Sequence, residues 1–307
     1  MPALPVTSFA RLLAVAGDEL GRLDIALVNL LCAEGLPGAE GLNIARCLAT
    51  LDRWAQAIRC YTRDAARYYQ RDPTAYGHHK GFAELVSMAI LLKRGIGIRY
   101  QPAAIASYDF SDSRDDLLHG LLTRKLGTCA SLPVLVVALG RRLGYPMYLA
   151  VAQGHFFCQW LNDDDSHVNF EISGNNGECS RYDDEHYHQW PRPLTAAHLS
   201  SGRYLRALNP CEELAAFLET RGHCLADNGR YDEAREAYEQ AHRAAPDWSR
   251  LDDHLLHLAL QCDRDRLSHC GPKFASAPPV SWHPTINASV PNRNMFPSLI
   301  LIPGLTR

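Results

Sequence analysis

Three residues of this 307-residue chain, Cys129, His155 and Glu171, are of the types that acyl transfer through a thioester requires. A thiolate attacks the carbonyl carbon, an imidazole carries the proton, and a carboxylate holds the imidazole in one tautomer. Asn169 is an alternative for the third part, since a side-chain amide can also orient an imidazole. Pro133 constrains where the thiol lies. Its ring clashes with the carbonyl four residues back in a helix interior, so the apolar helix containing it begins no earlier than about Cys129. That reading sets Cys129 in the first turn, where free amides and the helix dipole favour a thiolate.

His155 follows Gly154 and opens an extended run, and the polar stretch Asn162–Ser166 makes a hairpin loop before the next one. If the hairpin is centred on Asp163, Glu171 stands directly opposite His155 on the neighbouring strand. Side chains alternate with period two, so His155, Phe157, Gln159, Asn169 and Glu171 share one face. A slip of one residue would turn the carboxylate to the other side.

The elements that must position these groups are legible as periodicities. Residues 1 to about 95 read as helical, with Ile44, Leu48, Leu51, Trp54 and Ile58 at three- and four-residue spacing. Asp72-Pro73 closes that stretch, Phe82–Lys93 gives a second helix, and Ile98–Tyr100 reads as extended. A helix over Asp115–Arg124 leads into Leu126-Gly127-Thr128-Cys129. Leu132–Leu143 is apolar almost all round until Arg141, the mark of a helix buried on most sides. Strands are expected at Met147–Ala152, His155–Leu161 and His167–Ile172, which makes the fold class α+β.

Residues 211–248 change character. Gly222, Leu225, Gly229, Tyr231, Ala234, Tyr238, Ala241 and Pro246 fit one tetratricopeptide-type helix hairpin. A single copy cannot bury both of its faces, so it must dock on the rest of the chain or on another chain, and the short connection Tyr204–Pro210 favours the same molecule. The organisation is therefore an N-terminal helical region (1–109), a core (110–204), the helical hairpin (205–262) and a tail (263–307). From Cys270 onward that tail holds seven prolines and no periodicity, and it reads as extended or disordered.

Gly127-Thr128-Cys129, the helix end Arg142-Leu143-Gly144-Tyr145-Pro146, then Gly154-His155-Phe156-Phe157 and Asn169-Phe170-Glu171 resemble the transglutaminase-like superfamily. The similarity is to its bacterial branch, in which such a core is joined to tetratricopeptide-like helices. It spans roughly residues 110–250. The resemblance implies a papain-like fold, with a central helix bearing Cys129 packed on an antiparallel sheet bearing His155 and the acid. It also implies a peptidase, an amidase or an amine-accepting transferase acting on a peptide or protein amide, with no cofactor. The superfamily acid is usually Asp, and here the position is Glu171. Some members lack the cysteine and are non-catalytic, so a scaffold that keeps the fold is the rival expectation.

Singly, each group has a plainer reading: Cys129 as a buried structural thiol, His155 as a polar strand end, Glu171 as a surface carboxylate. The ten cysteines are scattered with no C-x-x-C pair, which suggests reduced thiols and a cytoplasmic protein. A secretory leader is not expected, because no basic stretch precedes the apolar residues of Met1–Gly17. The net charge of −3 points to neither nucleic acid nor an anionic membrane. His78-His79 and His186-Tyr187-His188 lack companions at zinc spacing, and Asp163–Asp165 lacks a calcium loop, so no metal is expected. Tyr182, Tyr187 and Trp190 either rim a groove or pack on the core, and the hairpin is either a structural buttress, the reading a single copy favours, or a surface for a protein partner.

Overall fold

The computed structural model describes residues 6–101, 109–164, 166–172 and 179–269, so most of the proline-rich tail lies outside the described residues. Helices and a small sheet are mixed, as the patterning requires. The N-terminal helices Ile25–Cys32, Ile44–Tyr61 and Lys80–Ile90 precede a short parallel ladder of β1 (Arg99–Tyr100) and β2 (Leu126–Gly127). The central helix Leu132–Leu143 follows. Then come four antiparallel strands in sequential order: β3 (Met147–Ala152), β4 (His155–Leu161), β5 (His167–Glu171) and β6 (Ser180–Tyr182).

The central helix is buried from Leu132 to Gly140 because it lies between two layers. One side packs on the N-terminal helices and the other on β3 and β4. Even-numbered positions of β4 face it. The Cys158 thiol donates to the Pro133 carbonyl at 3.4 Å, and the Trp160 ring lies tilted against Tyr145, just past the helix end, with centroids 5.2 Å apart. Strand β4 therefore runs from the helix N-terminus, where His155 sits, towards its C-terminus. The two-residue turn before it relies on Gly154, whose φ of +78° strains any residue with a Cβ.

The β4–β5 register differs from the expected one. Gln159 pairs with Asn169 and Leu161 with His167, which centres the hairpin on Asp164 instead of Asp163. The loop decides this: Asn162 N–H donates to the Ser166 carbonyl at 2.8 Å, and its side-chain amide donates to the Ser166 hydroxyl at 2.8 Å. Continued along the strands, that register puts Glu171 opposite Phe157 and diagonal to His155. The slip is by two positions, so the shared face is kept.

The expected helix over 115–124 is also interrupted. Ser113–Asp116 and Leu118–Arg124 are separate helices, and Leu117 between them is extended (φ −115°, ψ 157°). The break leaves the Asp115 carbonyl able to accept from the hydroxyls of Thr128 and Ser131, at 2.9 and 3.1 Å.

The C-terminal hairpin consists of Pro210–Asp227 and Tyr231–Ala244. Asn209 caps the first helix in a reciprocal box with Glu212, behind Pro210 in the first turn. Gly222 is where the two helices touch, for a Cβ there would lie 2.3 Å from the Tyr238 ring. The hairpin is docked on the same molecule. Leu214, Phe217 and Leu218 join the core that holds the central helix and sheet. Leu225 and Tyr238 form a second core with Ala33, Leu36 and Leu117. Arg141 pairs with the buried Glu213 at 2.6 Å. The Arg221 guanidinium donates to the carbonyls of Cys32 and Glu34 at 2.9 and 2.6 Å. A third helix, Leu251–His269, runs past residue 262 into the stretch read as tail, since no proline comes before Pro272. Among the described residues no helix is long and apolar enough to cross a membrane.

Candidate functional site

Cys129 does not occupy the first helical turn. The helix begins at Leu132, with Pro133 near its start, and Cys129 lies in the tight turn before it. Hydroxyls build that turn. Thr128 N–H donates to the Ser131 hydroxyl at 3.0 Å, and Ala130 N–H donates to the Thr128 hydroxyl at 3.2 Å. Both hydroxyls are tied in turn to the Asp115 carbonyl. Such local bonds compete with the helix and delay its start. The proline argument gave an earliest start, and the serine and threonine move the actual one later.

His155 and Glu171 meet. His155 Nε2 and Glu171 Oε1 are 2.5 Å apart, with both side chains about 95 % buried. The Cys129 side chain lies near enough to the same imidazole to raise its pKa. With Nε2 held by the carboxylate, the nitrogen left for the sulfur is Nδ1. Burial works against the imidazolium here. The Glu171 carboxylate and the Cys129 side chain more than offset it, and the His155 pKa is raised to about 10. His155 therefore stays protonated through the neutral range.

Asn169 has other partners. Its carbonyl oxygen accepts from Gln159 at 3.0 Å, and its amide donates to Asp184 at 2.7 Å. Tyr187, a residue with an open reading in the sequence, is fully buried, stacked 4.1 Å from Phe157, and its hydroxyl donates to Glu171 Oε1 at 3.0 Å. Its place three residues into the helix Asp184–Gln189 carried no signal of that bond. The Trp190 ring stands edge-on 4.5 Å from His155. Tyr100, read only as part of an extended run, proves to neighbour Cys129.

Cys158 is the other thiol close to Glu171. Burial first, and that charge second, push its pKa well above the ordinary thiol value, so it stays an inert SH. The cavity at Cys129, lined by Leu132, Pro133, Val136, Phe170, Glu171 and Ile172, holds about 10 Å³. That is room for about one water molecule. No group of three or more metal-ligating side chains occurs among the described residues.

The His155 shift has a consequence for stability. Its folded pKa of about 10 lies above the ordinary 6.5, so the interaction stabilises the fold fully below pH 6.5 and is lost as pH rises through about 10. Glu171→Gln should therefore flatten the decline in the denaturation midpoint between pH 6.5 and 10. Parallel midpoint curves for the two chains would show that the pair contributes nothing.

Residues 215–248 match the tetratricopeptide repeat. These are the residues whose helices pack through Gly222 and Tyr238. One such repeat is joined to a mixed helix-and-sheet body. No curated protein matches the chain. Among solved structures it is similar to a crystal structure of menin that reveals the binding site for Mixed Lineage Leukemia (MLL) protein. That likeness has 14 % identity and a TM-score of 0.34, and it covers 87 % of this chain and 68 % of that one.

Proposed function

We propose that this chain carries a papain- or transglutaminase-like core that performs cysteine-dependent acyl transfer on an amide or peptide carbonyl. The observation that carries the reading is the imidazole of His155 held by the Glu171 carboxylate at 2.5 Å, with the Cys129 side chain near enough to raise its pKa. Cys129 is the nucleophile. With the proton already on His155, the Cys129 sulfur attacks: the sulfur–carbon bond forms as the carbonyl π pair moves onto oxygen, and the carbon–nitrogen bond breaks as that pair returns and His155 gives its proton to the leaving amine. Water or an amine then releases the acyl group, with His155 removing the acceptor's proton. Glu171 fixes the ring and balances its charge, and Tyr187 fixes Glu171. The substrate is a peptide or protein amide, and no cofactor is required. A nucleophilic thiol that must stay reduced suits a cytoplasmic setting.

A second reading draws on the closed cavity and on the tetratricopeptide repeat: a non-catalytic protein-interaction module that retains this core. One experiment separates the two. Cys60 is the exposed cysteine among the described residues, whereas Cys129 is only 9 % exposed. An activated ester incubated with native protein should nevertheless acylate Cys129 faster than Cys60, with the sites mapped by mass spectrometry. Acylation that follows exposure, with Cys60 modified and Cys129 untouched, would leave the interaction module as the better reading.

A further inference from the structure

The roles given above leave one large cleft without a task. It opens at the C-terminal end of the central helix, whose 12 residues set it about 18 Å from the turn that holds Cys129. It holds about 520 Å³, the size of a small-molecule pocket. Four separate elements line it with rings: Tyr69 from the helix Ala65–Arg71, His79 from the cap of Lys80–Ile90, Tyr145 after the central helix, and Trp160 from β4. Trp160 joins them. Its ring centroid lies 5.2 Å from that of Tyr145 and 5.9 Å from that of His79, and it is seated on Gly81, where a Cβ would come within 2.5 Å of the indole. Both nitrogens of His79 are engaged. Nδ1 accepts from the Phe82 N–H at 2.9 Å, so the ring proton is on Nε2, which donates to Asn162 Oδ1 at 2.7 Å. The Tyr69 hydroxyl donates to the His78 carbonyl at 3.0 Å. These donors of the wall are thus turned to the protein itself, while the Glu84 carboxylate stands half-buried in the lining and Lys80 is exposed at the rim. Burial holds the Glu84 pKa above the ordinary carboxylate value even with Lys80 one turn away.

We propose that this cleft binds an alkylated ammonium group, its positive charge set against the Trp160 and Tyr145 rings and beside Glu84. The faces of aromatic rings are the negative part of their quadrupole, and they attract a bulky cation that water holds weakly. A carboxylate in the same wall adds to that attraction. An anion would meet the Glu84 charge instead, and a neutral apolar guest would strip water from that carboxylate and put nothing in its place. The volume is far larger than a bare ammonium ion fills, so the cation carries organic bulk. A free small cation and an N-methylated side chain of a protein present the same head to the rings. The site stands apart from Cys129 and does not depend on the acyl-transfer reading.

Titration calorimetry on the full chain tests this with three probes: choline, N-acetyl-trimethyllysine methylamide, and 3,3-dimethylbutan-1-ol, the uncharged carbon analogue of choline. At least one cation should bind, and it should exceed the alcohol about tenfold. Tighter choline marks a free small cation as the guest, and a tighter amide marks a protein side chain. Glu84→Gln should weaken the cation about fivefold, and Lys80→Gln, which removes a like charge from the rim, should tighten it. Equal affinity for cation and alcohol would make the cleft merely apolar, and weaker binding in Lys80→Gln would make it an anion site. Either result overturns the proposal, as does a chain that binds neither cation. Should the Glu84 variant not fold, the wild-type sequence made with 5-fluorotryptophan answers the same question. Fluorine withdraws charge from the ring face, so cation affinity should fall with alcohol affinity unchanged, and no fall overturns the assignment.

Discussion

Glu171→Gln combined with Tyr187→Phe is expected to slow acyl transfer at Cys129 by up to about 10⁴-fold, the scale set by a misheld imidazole tautomer. Glu171→Gln alone should cost only about tenfold to a hundredfold, and Tyr187→Phe alone less. The reason lies in a shared atom. His155 Nε2 and the Tyr187 hydroxyl both bond Glu171 Oε1, at 2.5 and 3.0 Å. A glutamine that keeps its carbonyl oxygen there satisfies both donors and loses only the negative charge. A charge-assisted hydrogen bond exceeds a neutral one by about 1–2 kcal/mol, which corresponds to roughly tenfold or somewhat more. Tyr187 favours that orientation, because against an amide turned the other way its hydroxyl could only accept, and its own hydrogen would lose the acceptor it has at position 171. Without Tyr187 the amide can present N–H to Nε2 and drive the ring proton onto Nδ1, the nitrogen that faces the sulfur. Acylation rates of the four chains measure the coupling. Strictly additive effects would mean that Tyr187 plays no part in the tautomer.

This arrangement also shows which parts of the site could be read from the sequence. Pairing of His155 with Glu171 was accessible because strand alternation depends only on parity, and the two-position slip set by Asn162 and Ser166 preserves parity. The register itself was not accessible, because it depends on which loop side chains close the turn. The position of Cys129 was bounded by Pro133 but decided by Thr128 and Ser131, whose hydroxyls reach an Asp115 carbonyl that becomes available only where Leu117 breaks a helix. No periodicity announces such a break. Tyr100 and Tyr187 were out of reach for a different reason: each meets the site through a long-range contact from an element whose own pattern is short. The tetratricopeptide hairpin was the most legible part, since Gly222 and Tyr238 carry its packing within a span of 34 residues. Its docking followed from the need to bury a second apolar face.

Ending the chain after Gly202 is expected to give an aggregating protein with no cooperative unfolding transition. Two distinct losses add up. Leu214, Phe217 and Leu218 are at most 4 % exposed within the main core. Burial of such side chains contributes about 1.5–3 kcal/mol each, so the three together approach the 5–15 kcal/mol by which a whole domain is stable. The second loss is at the sheet edge. The segment after Gly202 covers β3, with Leu205 N–H donating to the Val151 carbonyl at 2.9 Å and Leu208 N–H donating to the Leu149 carbonyl at 2.8 Å. Removing it bares an unpaired edge beside an uncovered apolar surface, the combination that templates strand-to-strand association. Ending the chain after Asn209 instead keeps the edge covered and removes only the hairpin helices. If core burial dominates, both truncations aggregate in size-exclusion and light-scattering measurements; if the edge dominates, the longer one stays monomeric. A soluble, monomeric Gly202 truncation whose Cys129 still acylates would show that the core stands alone. The hairpin would then be a separate binding module, and the interaction reading would gain the support that its docked position now denies it.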